Sequence, residues 1–192
     1  LRAMIQYRFA KKFCKHDGFE ILLAVQKARK FNKWMFDQFG DYLGDEILEA
    51  GAGIGNMTEF VLGKKRVVAV DYEKFYVDRL KDSYDHLNNT HFDQVDLTKE
   101  EDLERVSQGK PFDSAFCLNV AEHIEDDRVV FENLFRHIKP GGHAVVLVPH
   151  DPELFTAVDT TLGHYRRYTK SELKSKLEDA GFDIVSCKGF NR

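Results

Sequence analysis

Only three cysteines occur in the chain, Cys14, Cys117 and Cys187, an odd number set far apart with no C-x-x-C pair. That argues against a disulfide framework or a cysteine zinc site and reads as reduced thiols in a cytoplasmic protein. No apolar run approaches the roughly 18 residues a membrane helix needs, and the amino-terminal residues lack the apolar core of a signal peptide. Positive charge is not in excess either. With 28 Lys and Arg against 32 Asp and Glu the net charge is -4, which argues against a general binder of nucleic acid or anionic membrane. There is no internal repeat, low-complexity tract or linker. What is present, 192 residues with 43% hydrophobic and 31% charged, suits one α/β domain large enough to bury a proper core.

The chain is organised around Ile47-Leu48-Glu49-Ala50-Gly51-Ala52-Gly53-Ile54-Gly55. A short apolar run, an acid and three glycines on alternate positions describe a buried strand leaving a sheet through a tight turn. Glycines there permit positive φ and let a ligand touch the backbone. A helix is expected from about Asn56, aiming its free N–H groups at the same place. An ordinary glycine turn between strand and helix is the plainer alternative.

Residues 1–40 are basic and aromatic, with Phe9, Phe13, Phe31, Trp34, Phe36 and Phe39 among lysines and arginines. The four-residue spacing of Phe31, Met35 and Phe39 predicts a helical extension, packed on the domain at 41–192 or closing over a ligand as a lid. From Asp45 onward, short apolar runs alternate with helical patterns, which predicts an α/β fold with a doubly wound, mainly parallel sheet. Strands are expected at 46–50, 66–70, 91–95, 112–118, 143–148 and 182–187. The fifth, an unbroken apolar run after His143, is expected to be buried on both faces. Asp126 or Asp127 is expected to cap the helix before it, and Pro140-Gly141-Gly142 to stop that helix. Thr169 with Glu172 forms a capping box for the last helix, closed by Gly181. The irregular stretch 149–168 is long enough to be functional.

Ligands of an open parallel sheet bind beyond the carboxyl ends of its strands, where strand order reverses. Glu49, Asp71, Asp96 and the segment Asn119 to His123 all sit at such ends. Asp71 stands 71 − 51 = 20 positions beyond the first glycine, where a carboxylate accepts from both ribose hydroxyls of a nucleoside. The glycine spacing is G-x-G-x-G, with Asn56 at the third glycine position of the dinucleotide fingerprint. Glu49 just before the loop suits a cationic ligand and repels a pyrophosphate. Both details favour S-adenosylmethionine over a nicotinamide dinucleotide.

The order Glu49 to Gly55, Asp71, Val95-Asp96-Leu97, Phe112-Asp113 through Leu118-Asn119-Val120-Ala121-Glu122-His123-Ile124, and Ile138-Lys-Pro-Gly-Gly142 resembles the class I S-adenosylmethionine-dependent methyltransferases. Ala28 to Phe36 and Leu162-Gly-His-Tyr-Arg-Arg-Tyr-Thr169 resemble the bacterial small-molecule, ubiquinone-biosynthesis-like group. The resemblance implies a Rossmann-like methyltransferase fold in which Gly51, Ala52, Gly53 and Gly55 wrap the methionine part and Glu49 supports the loop and the amino group. Asp71 then holds the ribose, Tyr72 lies beside the adenine, Asp96 and the Leu97 backbone meet the adenine amino group, and Asn119 and Val120 lie along the methionine and the sulfonium. The family's last antiparallel strand has no room in this sequence.

Methyl transfer is an in-line displacement on an activated carbon, so alignment supplies much of the acceleration. A base is needed only when the acceptor must lose a proton, and His123 and His164 are the candidates. A histidine packed beside Glu122 is the bland alternative for the first. Tyr165, Arg166, Arg167 and Tyr168 are candidate acceptor contacts, able to clamp a carboxylate or phosphate, with Trp34 on the helical extension beside them. The alternative is that the arginines pair internally. Glu122, Glu125, Asp126 and Asp127 read as a solvated, capped helix start, and no metal is expected. The absence of an Asn-Pro-Pro-Tyr segment after strand four speaks against amino methylation of nucleic acid. The expected activity is methylation of an oxygen or carbon of a small molecule. An NAD(P)-dependent oxidoreductase and a non-catalytic cofactor-binding subunit remain as alternatives.

Overall fold

The structure, a computed structural model, describes residues 17–189. Phe9, Phe13 and Cys14 of the expected helical extension lie outside the described residues. Two helices open the chain, α1 (Asp17–Lys27) and α2 (Arg29–Asp37). Strands and helices then alternate as β1 (Glu46–Ala50), β2 (Arg66–Asp71), α3 (Lys74–Tyr84), β3 (Thr90–Gln94), α4 (Glu100–Ser107), β4 (Phe112–Leu118), α5 (Asp127–Arg136) and β5 (Ile138–Leu147). The short α6 (Ala157–Thr161) and then α7 (Lys170–Asp179) follow.

The five strands form one parallel sheet in the order β3-β2-β1-β4-β5. Strand order therefore reverses between β1 and β4, and the crevice at the carboxyl ends of these two strands is the natural ligand position. Successive side chains of β1 feed opposite faces. Ile47 joins Met35, Phe39, Val67 and Phe116 under α2, whereas Leu48 joins Val68, Ala115, Val130 and Leu134 under α5. Both residues are fully buried, each worth about 1.5–3 kcal/mol of transfer free energy. β1 is thus pinned from both sides, and the glycine loop hangs from the central strand of the sheet.

Four expectations are corrected. No α-helix starts at Asn56: the loop runs through turns into a 3-10 turn, Thr58–Phe60, because three positive-φ glycines bend the chain repeatedly. Pro140-Gly141-Gly142 does not stop a helix but lies inside β5, which starts at Ile138 and shifts register against β4 between Phe112 and Ser114. β5 is only partly buried, not buried on both faces, because among the described residues β4 is its one neighbour in the sheet. The sixth strand is absent: Phe182 to Cys187 carries no ladder, and although Phe182 packs edge-on against Phe135, Val185 is 71% exposed. A strand needs a partner as well as a pattern.

The capping residues divide. Thr169 Oγ1 accepts from Glu172 N at 3.1 Å and Gly181 takes φ of 108°, as a helix start and stop require. Asp126 precedes α5 without a side-chain cap, and Asp127 is buried instead of solvated.

Candidate active site

The loop after β1 is held by β2. Gly51 N and Ala52 N both donate to Val70 O at 2.9 Å, and Gly53 N donates to Asp71 Oδ2 at 2.8 Å. Glu73 N reaches the other oxygen, Asp71 Oδ1, at 2.9 Å. The carboxylate proposed for the ribose thus also latches the glycine loop to β2, and with about four lone-pair directions it retains acceptor capacity. Burial raises its pKa, while these backbone hydrogen bonds pull it down.

Gly51 and Gly55 have φ of 84° and 88°. A Cβ on Gly51 would drive into Val120 Cγ2. The glycine loop and the segment after β4 therefore meet at the switch point, with Gly51 packed directly on Val120. Asn119 at the end of β4 adopts φ of 54°, in the left-handed region that asparagine tolerates better than most residues, and its N–H donates to Leu147 O at 2.8 Å. On the β3 side, Asp96 Oδ1 accepts from Thr98 N at 3.0 Å and Thr98 Oγ1 at 2.7 Å. Tyr72 is 66% exposed, and Leu97 is buried with its carbonyl accepting from Asn133.

Glu49 is buried beneath this loop. Burial pushes its carboxyl up to about 8, opposed by the hydrogen bond from Thr58 Oγ1 at 2.6 Å and reinforced by Asp71. The anion expected from the sequence is therefore largely neutral in the cofactor-free protein near pH 7. A cation placed beside it draws the proton off. Because the folded pKa lies above the usual 4.5, the native state binds more protons than the unfolded chain between these values, and stability falls as pH rises through that window. The slope from this one group is at most roughly 1.4 kcal/mol per pH unit. Denaturant midpoints from about pH 5 to pH 8 should fall in the wild type and flatten in Glu49→Gln; equal slopes refute the assignment.

α1 roofs the loop. Asn56 Nδ2 donates to Leu22 O at 3.0 Å, and Leu22 Cδ1 lies 3.2 Å from where a Gly53 Cβ would stand. Phe19 meets Phe75 edge-on at 5.3 Å and lies over Tyr76 at 6.4 Å. α2 packs Phe36 on Phe60, Phe39 just beyond its end lies on Phe116, and Trp34 stays 44% exposed beside Phe31.

His123 and His164 are brought together, although 41 positions apart, with ring centroids 4.6 Å from each other in an edge-to-face arrangement. His123 belongs to the 3-10 turn Ala121–His123. Desolvation by the surrounding chain and then His164 hold its pKa below the usual value, while hydrogen bonding to the Leu162 and Gly163 backbone works against them. Glu122 beside it is buried, and burial pushes its carboxyl up to about 7. His164 Nδ1 lies 2.9 Å from Asp159 Oδ1.

The loop residues expected to grip an acceptor are largely committed elsewhere. Arg167 forks onto Asp159 through Nε at 2.8 Å and Nη2 at 3.0 Å. Arg166 donates to the carbonyls of Ile124 and Glu125 and pairs with Asp127 at 3.1 Å. Tyr168 is 1% exposed, with its hydroxyl on Asp127 Oδ2 at 2.7 Å. Tyr168 therefore belongs to the scaffold, which corrects its reading as a substrate contact, and the two arginines have internal anions in place of a ligand's. Tyr165 remains 55% exposed, and its N–H donates to Glu122 O at 2.7 Å. The segment fastens the loop onto the turn after β4.

Asp159, at the centre of these contacts, escaped the sequence reading. Its signal was the capping-box spacing Thr156-Ala157-Val158-Asp159: Thr156 N donates to Asp159 Oδ2 at 2.9 Å, and Val158 N to Thr156 Oγ1 at 3.3 Å. Two open hollows, of about 380 and 450 Å³, lie at the opposite, amino-terminal edge of the sheet, lined for example by Asp113 and Lys139 or by Arg66 and Asn89. They are remote from the glycine loop, so geometry and chemistry place the site at the carboxyl edge.

A parallel sheet with a positive-φ glycine loop at its switch point and acids at the ends of β1, β2 and β3 defines a nucleoside-cofactor domain of the class I methyltransferase type. The chain belongs to the family described as "Methyltransferase domain", whose model matches residues 8–187. It is 28% identical over 149 residues to a probable S-adenosylmethionine-dependent methyltransferase of Mycolicibacterium smegmatis, covering 76% of this chain and 55% of that protein. To a ubiquinone biosynthesis O-methyltransferase of Rickettsia canadensis it is 27% identical over 158 residues, covering 75% and 65%. The chain thus spans between half and two thirds of these relatives' length. Among solved structures, the cyclase SpnF superposes with a TM-score of 0.64 at 19% identity over 83% of this chain and 59% of that one, a likeness of fold. S-adenosylmethionine is the cofactor of the class, and membership sets aside the nicotinamide reading. No described helix is long and apolar enough to cross a membrane.

Proposed function

We propose that the protein transfers a methyl group from S-adenosylmethionine to an oxygen or carbon of a small-molecule acceptor. The observation that carries this is the cradle itself, in which Gly51 to Gly55, latched by Asp71, faces Asn119 and Val120 across the switch point of the sheet. The methionine part lies against the glycine backbone, the ribose on Asp71, and the adenine between Tyr72 and Asp96 with Leu97. α1 acts as the lid. The acceptor enters from the side of His123, His164 and Tyr165, where an imidazole nitrogen is placed to take a proton from an acceptor hydroxyl.

Isothermal calorimetry should register micromolar binding of S-adenosylhomocysteine, and Asp71→Ala should weaken it by at least roughly tenfold, since the variant loses both a ribose partner and the latch on Gly53. A folded chain that binds no S-adenosylhomocysteine refutes the reading. Incubating enzyme and cofactor with a cell extract, then searching by mass spectrometry for metabolites that gain a methyl group, identifies the acceptor.

A further inference from the structure

We propose that Glu122, His123 and His164 form a binding site for one first-row divalent cation, with zinc the best match. One ligand atom from each lies within 4.8 Å of the other two. Binding would draw these atoms in to the roughly 3–3.5 Å that separates neighbouring donors around zinc at about 2.1 Å. Two imidazoles and a carboxylate suit zinc and its transition-metal neighbours better than magnesium or calcium, which prefer all-oxygen shells. Three protein donors also leave coordination positions for an exogenous oxygen.

Two independent observations point to a missing ligand. Glu122 Oε2 is buried, yet it has no hydrogen-bond partner, and a buried carboxylate oxygen normally has one. His164 is also oriented in the manner of metal-binding histidines, with Nδ1 engaged by a carboxylate so that Nε2 is the nitrogen left to ligate. That carboxylate, Asp159, is fully buried and fixed in turn by Arg167 and Thr156. The chain from Arg167 through Asp159 to His164 is a support of the kind that sets a ring's tautomer and direction. Tyr165 N on Glu122 O joins the two segments that supply the donors. His123 reaches the surface, so an ion has an entry path.

The site stands two residues beyond Val120, beside the cofactor crevice. Metal binding itself does not rest on the proposed methyl transfer. If that transfer holds, an acceptor hydroxyl would fill an open position, and the two imidazoles would serve as ligands instead of as a base.

The test uses chelator-stripped protein titrated with ZnCl2 by calorimetry, and with CoCl2 by visible absorption. One saturable equivalent of Zn2+ is expected, with ligand-field bands of a nitrogen-containing shell for Co2+. His164→Ala and His123→Ala should each weaken Zn2+ by more than roughly tenfold, and Asp159→Asn by about 10–100-fold, because the His164 ring loses the carboxylate that orients it. A cooperative thermal transition certifies each variant as folded. If one variant fails to fold, the others still decide. The proposal is overturned if folded wild type binds no Zn2+ with saturation, or if His123→Ala and His164→Ala bind it like wild type. S-adenosylhomocysteine titrations on the same samples report the cofactor reading separately.

Discussion

Gly51→Ala is expected to lower the affinity for S-adenosylhomocysteine by roughly 100-fold or more while the protein still unfolds cooperatively. Two costs combine. A side chain at φ of 84° pays about 1–2 kcal/mol for left-handed backbone, and the new methyl collides with Val120, an overpacking worth about 1–3 kcal/mol. The loop can escape only by moving away from β4, which opens the cradle. Since each 1.4 kcal/mol is about tenfold in binding, the sum of about 2–5 kcal/mol spans roughly one and a half to three and a half orders of magnitude, centred near two and a half. Gly51→Ala/Val120→Ala should recover the collision part and not the backbone part, so its affinity falls between the two. Calorimetry checks both. An unchanged affinity for Gly51→Ala would show that the cofactor does not depend on this loop.

Asp159→Ala is expected to cost about 3–5 kcal/mol of folding stability, the range for breaking a buried ion pair from one side. The carboxylate is fully buried and receives Arg167, His164 and Thr156 N. Its pKa is held well below the usual range by the Arg167 guanidinium first, against the opposing effect of burial. Removing it takes from the Arg167 guanidinium both of its side-chain hydrogen bonds to a carboxylate and from the His164 imidazole its Nδ1 partner. Urea denaturation measures the loss. Asp159→Asn should lose less, because the amide oxygen still accepts. A change below 1 kcal/mol would mean that the loop is not anchored here.

Much of this was legible in the sequence because it is local. The runs at Ile47, Val67 and Phe112 are short, apolar and followed by acids or glycine, so β1, β2 and β4 and their carboxyl-end residues could be placed. The Asp71 spacing could be read for the same reason, since one βα unit fixes it. The rest depends on partners distant in sequence. Phe182 to Cys187 has the pattern of a strand, but pattern reports a face and not a neighbour. Glu49 reads as an anion until its burial beneath Thr58 and Asp71 is known. Arg166, Arg167 and Tyr168 carry the chemistry of a clamp, and only the fold shows Asp127 and Asp159 already in it. The meeting of His123 and His164 required a loop closure that no periodicity announces.

The partly buried β5 has a consequence for the solution behaviour of the domain. Among the described residues its outer edge has no strand beside it, and such an edge is a template on which an extended segment can add. The first half of the strand is guarded, since Pro140 has no N–H to offer. The second half, Ala144 to Leu147, is apolar and partly buried. A strand adding there would find its free register along those four residues, at the end of the sheet that carries the histidine cluster.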